Sequence, residues 1–320
     1  MKRLLLAAAV GLAAASGFAQ DYPSRAINIT VPNPPGGMNQ IHAQPLSAVL
    51  EKITGQPAPI INRPGGTAAV GTAHVANQPA EGYNILVTTP NIFLVIEKDK
   101  IYGIKTPFSL DKIALIALLS ADPLIMTVHP SMPVNTAKEL AALAKKQPGE
   151  IVYSHSGPYG ITHTPMEMFL HAAGDLKMRH LPTTGGGPAI LQALGGHSQV
   201  TGGGPAALYS HVNAGKLRAI ASWGTKPHPA FPNVPTLQSA GYKDVEAYLW
   251  VGLFTTAGVP DATFTKMREL IRKAADDPSF KKALENVHIV PDYRDTAEFK
   301  QFFDADYKRM AAAIKRMGKI

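Results

Sequence analysis

The sequence predicts an α/β protein of two lobes hinged around a central cleft. Three observations carry this. Apolar stretches of strand period alternate with stretches of helical period along the chain. The 320 residues, 45% of them hydrophobic, can fill two cores rather than one. The alternation is interrupted at Asp122-Pro123 and again across the Pro- and Gly-rich residues 223–241, as in a chain that enters a second domain and returns. The first domain is therefore expected to be discontinuous, 20–122 plus 245–320, with the second over 123–244.

Each element has its own signature. Ile27, Ile29 and Val31 alternate with Asn28 and Thr30, which predicts a strand. Ile41, Leu46, Val49, Leu50 and Ile53 recur at helical spacing. A second strand covers Ile60 and Ile61, and a helical stretch runs through Val70, Ala73, His74 and Ala76. Residues 83–87 read as a buried strand, and 113–119 and 124–128 as two more. Thr136 and Glu139 form a capping box ahead of Leu140 and Leu143, and Gln147-Pro148-Gly149 ends that helix. A strand over 151–153 runs into the glycine-containing turn 154–160, and a helix through Met166, Phe169 and Leu170 follows. Gly185-Gly186-Gly187-Pro188 opens a helix with Ile190, Leu191 and Leu194 apolar. Val200-Thr201 leads into Gly202-Gly203-Gly204, and 217–222 is a strand. After the return, 248–254 is a strand around Trp250. Two amphipathic helices close the chain, one burying Phe264, Met267, Leu270, Ile271 and Ala274, the other Phe299, Phe302, Phe303, Met310, Ile314 and Met317.

Composition narrows the function. Residues 1–19 have a basic start at Lys2 and Arg3, a short apolar run and a small-residue end at Gly17-Phe18-Ala19, which predicts a secretory signal peptide. There is no cysteine, so disulfides, thiolate metal sites, cysteine nucleophiles and a lipid-bearing cysteine are excluded. An exported, unanchored chain of this kind fits a bacterial periplasm. The formal charge is +8, or +6 without Lys2 and Arg3, and the basic residues are scattered among only 7% aromatics. That pattern argues against nucleic acid and for a mild field that collects anionic small molecules.

The stretch most suggestive of chemistry is Val31-Pro32-Asn33-Pro34-Pro35-Gly36-Gly37-Met38-Asn39. Two prolines stiffen a strand-to-helix turn, and two glycines let a ligand approach the backbone. Unpaired donors and the positive end of a helix dipole would face it, an anion seat suited to a carboxylate. A plain βα turn punctuated by Pro and Gly has the same sequence, and the residues leave both readings open. Turn 154–160 repeats the logic, with His163 at the following helix start, where a neutral imidazole is favoured. No G-x-S-x-G elbow, P-loop, dinucleotide fingerprint or H-E-x-x-H is present. His155, His163 and His171 are spaced by eight, which is not a helical metal-ligand pair.

An ordered set of short motifs then recurs from Tyr22 to Met317. It includes Tyr22-Pro23-Ser24-Arg25, Val31-Pro32 with Pro35-Gly36-Gly37, Asn62-Arg63-Pro64-Gly65 with Gly71, Glu81-Gly82-Tyr83, and Gln147-Pro148-Gly149 before Tyr153-Ser154. His163, Leu194-Gly195-Gly196, Ala214-Gly215-Lys216-Leu217-Arg218, Phe231-Pro232-Asn233-Val234-Pro235-Thr236, Ala240-Gly241 and Trp250-Val251-Gly252-Leu253 complete it. With this set the chain resembles the Bug family of periplasmic solute-binding proteins, the extracytoplasmic receptors of tripartite tricarboxylate transporters. The resemblance implies a two-lobed type II periplasmic binding protein fold and a ligand carboxylate held by backbone amides of two loops, 34–39 and 156–163 here. The ligand-binding residues it points to are Pro35, Gly36, Gly37, Met38, Asn39, Thr88, Ser156, Gly157, Tyr159, Gly160, Thr162, His163, Thr184 and Gly203. No catalytic residue, metal or cofactor is expected. The partners are a small carboxylate and the transporter's membrane components, and the protein is expected to be a monomer.

The sequence also departs from the family pattern. The usual Asp and Arg after Gly-Gly are Gln40 and Gln44, a common acidic residue is Gln199, and a second Asp is Gly203. Fewer acids near the cleft disfavour an amino-acid ligand, and the small residues 202–204 imply extra pocket volume. The expected ligand is a di- or tricarboxylate, possible candidates including bulky or aromatic ones such as a phthalate. The rival readings are an exported hydrolase using Ser154 or Ser156 with His163, and a metal-binding chaperone built on the histidines.

Overall fold

The computed structural model describes residues 22–320, so the expected signal peptide lies outside the described residues. The first lobe opens with β1 (Asn28–Val31), α1 (Met38–Thr54), β2 (Ile60–Asn62), α2 (Ala69–Ala76), β3 (Asn84–Thr88), α3 (Asn91–Tyr102) and β4 (Ile113–Pro123). The second lobe contains β5 (Ile125–Val128), α4 (Ala137–Lys146), β6 (Val152–His155), α5 (Thr164–Ala172), β7 (Arg179–Pro182), α6 (Gly186–Leu194), β8 (Val200–Gly203), α7 (Pro205–Asn213) and β9 (Arg218–Ser222). The chain returns with β10 (Tyr248–Thr256), α8 (Asp261–Asp276), α9 (Pro278–Glu285), β11 (Pro291–Asp295) and α10 (Thr296–Met317).

Two sheets result, with strand orders β11-β4-β10-β3-β1-β2 and β7-β6-β8-β5-β9. β1 runs parallel to β2 and β3, and β6 runs parallel to β7 and β8. The long β4 and β10 pair antiparallel through Tyr248 opposite Pro123. The crossings also hold each other: the Leu124 amide donates to Ala247 O (3.2 Å), and Ala247 donates to Trp223 O (3.1 Å). Asp122 Oδ1 meets His228 Nε2 at 3.0 Å, with both side chains buried.

Periodicity explains the packing. Ile29 and Val31 face Leu46, Leu50, Met267 and Ile271 on one side of the first sheet. On the other side Leu86 joins Phe93, Trp250, Phe254, Phe299 and Phe303. That second cluster continues through Met310, Ala313 and Ile314 of α10 to Met166 and Phe169 of α5, so α10 begins on the first sheet and ends against the second lobe. The capping box at Thr136 forms as its sequence predicts: the Glu139 amide donates to Thr136 Oγ1 (3.1 Å), and Glu139 Oε2 accepts from Asn135 (2.6 Å).

Several elements leave little trace in the sequence. α3 carries four consecutive buried residues, Ile92 to Val95, which masks its period. β7 and β11 are edge strands without an apolar face. α7 and α9 are short and start on Pro205 and Pro278. The glycine triplet does not follow its strand: Gly202 and Gly203 lie within β8.

Gly71 anchors α2 to the turn after β1. A Cβ there would lie 2.7 Å from Pro32 Cα and 2.9 Å from Arg63 O, both backbone atoms. Gly71→Ala is expected to destabilise the protein by about 1–3 kcal/mol, read as a lower urea midpoint at unchanged m-value. An unchanged midpoint would show that the turn moves aside freely.

Candidate ligand-binding cleft

The carboxyl ends of the parallel strands in both sheets carry the expected site residues, the edge where α/β proteins bind ligands. The two edges approach at Gly204, after β8. A Cβ there would stand 2.9 Å from Leu249 Cδ2 and 3.5 Å from Met38 Cε, at the entrance of α1.

In the first lobe Pro35, Gly36 and Gly37 are exposed, and added Cβ atoms at Gly36 and Gly37 meet nothing within 4 Å. Gly36 has φ +91°, so glycine is required there; Gly37, the N-cap, has φ −90° and tolerates any side chain. Gln40 and Ile41 donate to Gly37 O. Among the described residues, the amides of Gly36, Gly37, Met38 and Asn39 donate to no backbone acceptor. Asparagines brace this turn: Asn39 Nδ2 donates to Asn33 Oδ1 (2.6 Å), and Asn62 Nδ2 to Asn33 O (2.9 Å) and Gln40 Oε1 (3.1 Å). Asn39 Oδ1, Thr88 Oγ1 and Asn91 Oδ1 are buried without a partner in the protein. Asn33, Asn62 and Asn91 were not legible as site residues, because their roles depend on strands β1, β2 and β3 lying side by side.

In the second lobe Ser156 and Gly157 are half-buried, and Tyr159, Gly160, Thr162 and His163 are buried. Thr184 is exposed after β7, beside Thr183, whose hydroxyl donates to His155 O (2.9 Å). Tyr159 commits its hydroxyl to Gly318 O (2.6 Å) and accepts from the Ile320 amide (3.1 Å), beyond the end of α10. Gly203 is buried, and the triplet holds no open space. Added Cβ atoms at 202, 203 and 204 would meet Trp223, Leu208 and Leu249 respectively. The extra volume expected from the triplet is therefore filled by the protein's own side chains. Gln199 corrects a second expectation: its Oε1 accepts from the Val152 amide (2.8 Å), at the start of β6 and away from the carboxyl edge.

A family profile described as the tripartite tricarboxylate transporter family receptor matches residues 43–319. The chain belongs to that receptor family. It is 26% identical to protein BugT of Bordetella pertussis, over 99% of this chain and 98% of that one. Its fold is that of a TctC solute-binding protein from Polaromonas, solved without ligand. The TM-score is 0.76 at 26% identity, with 92% of this chain and 99% of that one covered. An R. palustris protein solved with adipate shares the fold at 22% identity, TM-score 0.80, covering 92% and 99%. The receptor thus has the two-lobed type II architecture, and its family is one of binding proteins, not enzymes.

The receptor's hydroxyls agree with that. Ser154 Oγ donates to Ala189 O (2.7 Å) and accepts from Ser198 Oγ (2.8 Å), while Ser156 Oγ accepts from Thr162 Oγ1 (3.0 Å). Neither serine is hydrogen-bonded to His163, so the hydrolase constellation is not assembled. His155, His163 and His180 do come together, which spacing along the chain could not reveal because His180 arrives on β7. His155 Nε2 lies 3.2 Å from His180 Nδ1, while the rings of His155 and His163 stack at 4.0 Å and 14°. Stacked imidazoles point their in-plane lone pairs side by side. They cannot meet on one ion at the ~2.0–2.1 Å that zinc requires. His163 Nδ1 is also taken by the Tyr159 amide (2.9 Å).

Burial holds His155 and His163 neutral. His163 is pushed down to about 2, by desolvation first and then by His155 and His180. His155 is lowered to about 4 by desolvation, opposed by the Gly157 carbonyl. His42, buried between Met38 O and Ser120 Oγ, is lowered to about 4 for the same first reason. The neutral imidazole expected at His163 is present, with burial rather than the helix end as its main cause. A base whose folded pKa lies below its unfolded value near 6.5 leaves the unfolded chain to take up protons first. Stability is therefore full above about pH 6.5 and falls toward pH 4, by on the order of 2 kcal/mol per imidazole at pH 5. Urea midpoints should drop from pH 7 to pH 5; a flat profile would show that these rings titrate as free imidazoles.

Proposed function

We propose that the protein is a periplasmic receptor that closes its lobes, 20–122 plus 245–320 and 123–244, on a small organic di- or tricarboxylate. It then delivers that ligand, as a monomer, to the membrane components of a tripartite tricarboxylate transporter. The observation that carries the proposal is the set of main-chain donors without protein acceptors at two strand-to-helix turns, on the approaching carboxyl edges of two lobes. Such donors are neutral, preorganised and suited to an oxyanion. The partnerless oxygens of Thr88, Asn39 and Asn91 add polar groups that a ligand or its waters would satisfy. Membership of the receptor family supports delivery to a transporter, and the adipate held by the R. palustris neighbour supports the ligand class. The glycine triplet no longer favours an aromatic ligand over a saturated one.

A thermal-shift panel of succinate, adipate, malate, citrate and phthalate, with glycine and alanine as amino-acid controls, tests the ligand class. At least one polycarboxylate is expected to raise Tm and neither amino acid to do so. Stabilisation by an amino acid alone would reject the proposal. Gly37→Val places a side chain where a ligand must reach the amides, at a position with ordinary backbone and open space. It should weaken binding roughly tenfold or more at unchanged Tm of the free protein. Equal affinity in the variant would remove the first turn from the site.

A further inference from the structure

Resting on that reading, we infer that His163 is a positioning residue of the second ligand loop. Its Nδ1 takes the Tyr159 amide, and the loop then presents the Ile161 and Thr162 amides, with the Ser156 hydroxyl, to the ligand carboxylate. An accounting of the loop's donors leads there. The Ser156 amide donates to Thr162 Oγ1 (2.8 Å), and the Gly157 amide faces His155 Nδ1 (3.2 Å), a nitrogen that also lies 2.9 Å from Gly157 O and serves one of the two according to its tautomer. Pro158 has none. The Tyr159 amide donates to His163 Nδ1 (2.9 Å). Gly160 donates to Gly157 O, and His163 and Thr164 donate to Gly160 O, each at 3.0 Å. Ile161 and Thr162 remain, and among the described residues their amides have no acceptor in either tautomer of His155. Both residues are more than nine-tenths buried. Two successive buried amides without partners form a concavity for an anion.

The hydroxyls point the same way. Thr162 Oγ1 accepts from the Ser156 amide and donates to Ser156 Oγ at 3.0 Å. Ser156 Oγ therefore has its own proton left to give outward. The Gly160 amide is occupied inside the loop, by Gly157 O, so that glycine shapes the turn rather than binding through its own N–H.

His163 acts on this through Tyr159. Tyr159 sits at φ +58°, a left-handed conformation that a non-glycine residue holds only when its surroundings impose it. Its amide is fixed by His163 and its hydroxyl by Gly318 O and the Ile320 amide. His155 and His180 stack on the His163 ring and fix its plane. An Nδ1 that accepts from an amide leaves the ring proton on Nε2, 4.0 Å from Glu167 Oε1.

Asn and Gln separate the two nitrogens, since an Asn oxygen can occupy the place of Nδ1 and a Gln oxygen that of Nε2. In the ligand-free protein, the Tyr159 amide should be protected from hydrogen exchange in wild type and His163→Asn. It should exchange at least ~10-fold faster in His163→Gln and His163→Ala. Affinity for whichever of succinate, adipate and phthalate binds wild type should follow the same order, with Asn within about threefold and Gln and Ala weaker by roughly tenfold. Equal protection in all variants, or retention by Gln and loss by Asn, would overturn the inference. Loss of affinity in His163→Asn with Tyr159 still protected would also overturn it, by making Nε2 a direct ligand contact. If no polycarboxylate binds wild type, the receptor proposal fails, while the exchange measurement still decides the role of His163.

Discussion

A main-chain amide needs an acceptor, in the protein, in water or in a ligand, and this protein leaves several amides without a protein acceptor at two turns. The first group, Gly36 to Asn39, opens α1; the second, Ile161 and Thr162, precedes α5. Elsewhere the loops satisfy themselves closely. Asn33, Asn39 and Asn62 tie one turn to its neighbours, and Thr162 and His163 absorb the Ser156 and Tyr159 amides of the other. Against these internal bonds the remaining donors are informative. They are what a carboxylate would complete.

The frame keeps those donors on approaching edges. β4 and β10 carry the chain across side by side, and the Leu124, Ala247 and Trp223 backbone bonds join the crossings. α10 adds a third connection by running from the aromatic cluster around Trp250 and Phe299 to α5. Midway along it, buried Asp306 accepts from Trp250 Nε1 (2.8 Å) and Arg309 (2.9 Å), while burial raises its pKa against both partners. Beyond its end, Gly318 and Ile320 hold Tyr159. The C-terminal segment and the second ligand turn are thus mechanically one unit.

Charge is handled by neutral groups. The turns offer amides, hydroxyls and uncharged imidazoles. In the proposed site a ligand's negative charge would be met by aligned dipoles rather than by a buried counter-ion, which avoids leaving a desolvated cation when the site is empty. His155 and His163 fit the same scheme, because burial first and neighbouring imidazoles second lower their pKa values.

The α/β class, most strands and helices, both glycine-rich turns and the receptor family were legible from the residues in order, because periodicity, caps and ordered motifs are local or linear signals. The sequence also marked most of the residues that shape the two turns. It could not show that Gly202 to Gly204 are filled by Trp223, Leu208 and Leu249, or that Gln199 faces the far end of its strand. Nor could it bring His180 to His155 and His163, or choose which amides of the 156–163 turn stay free. Those outcomes depend on which strands become neighbours and which way each side chain leaves the sheet. A donor's partner is set by proximity in space rather than by spacing along the chain.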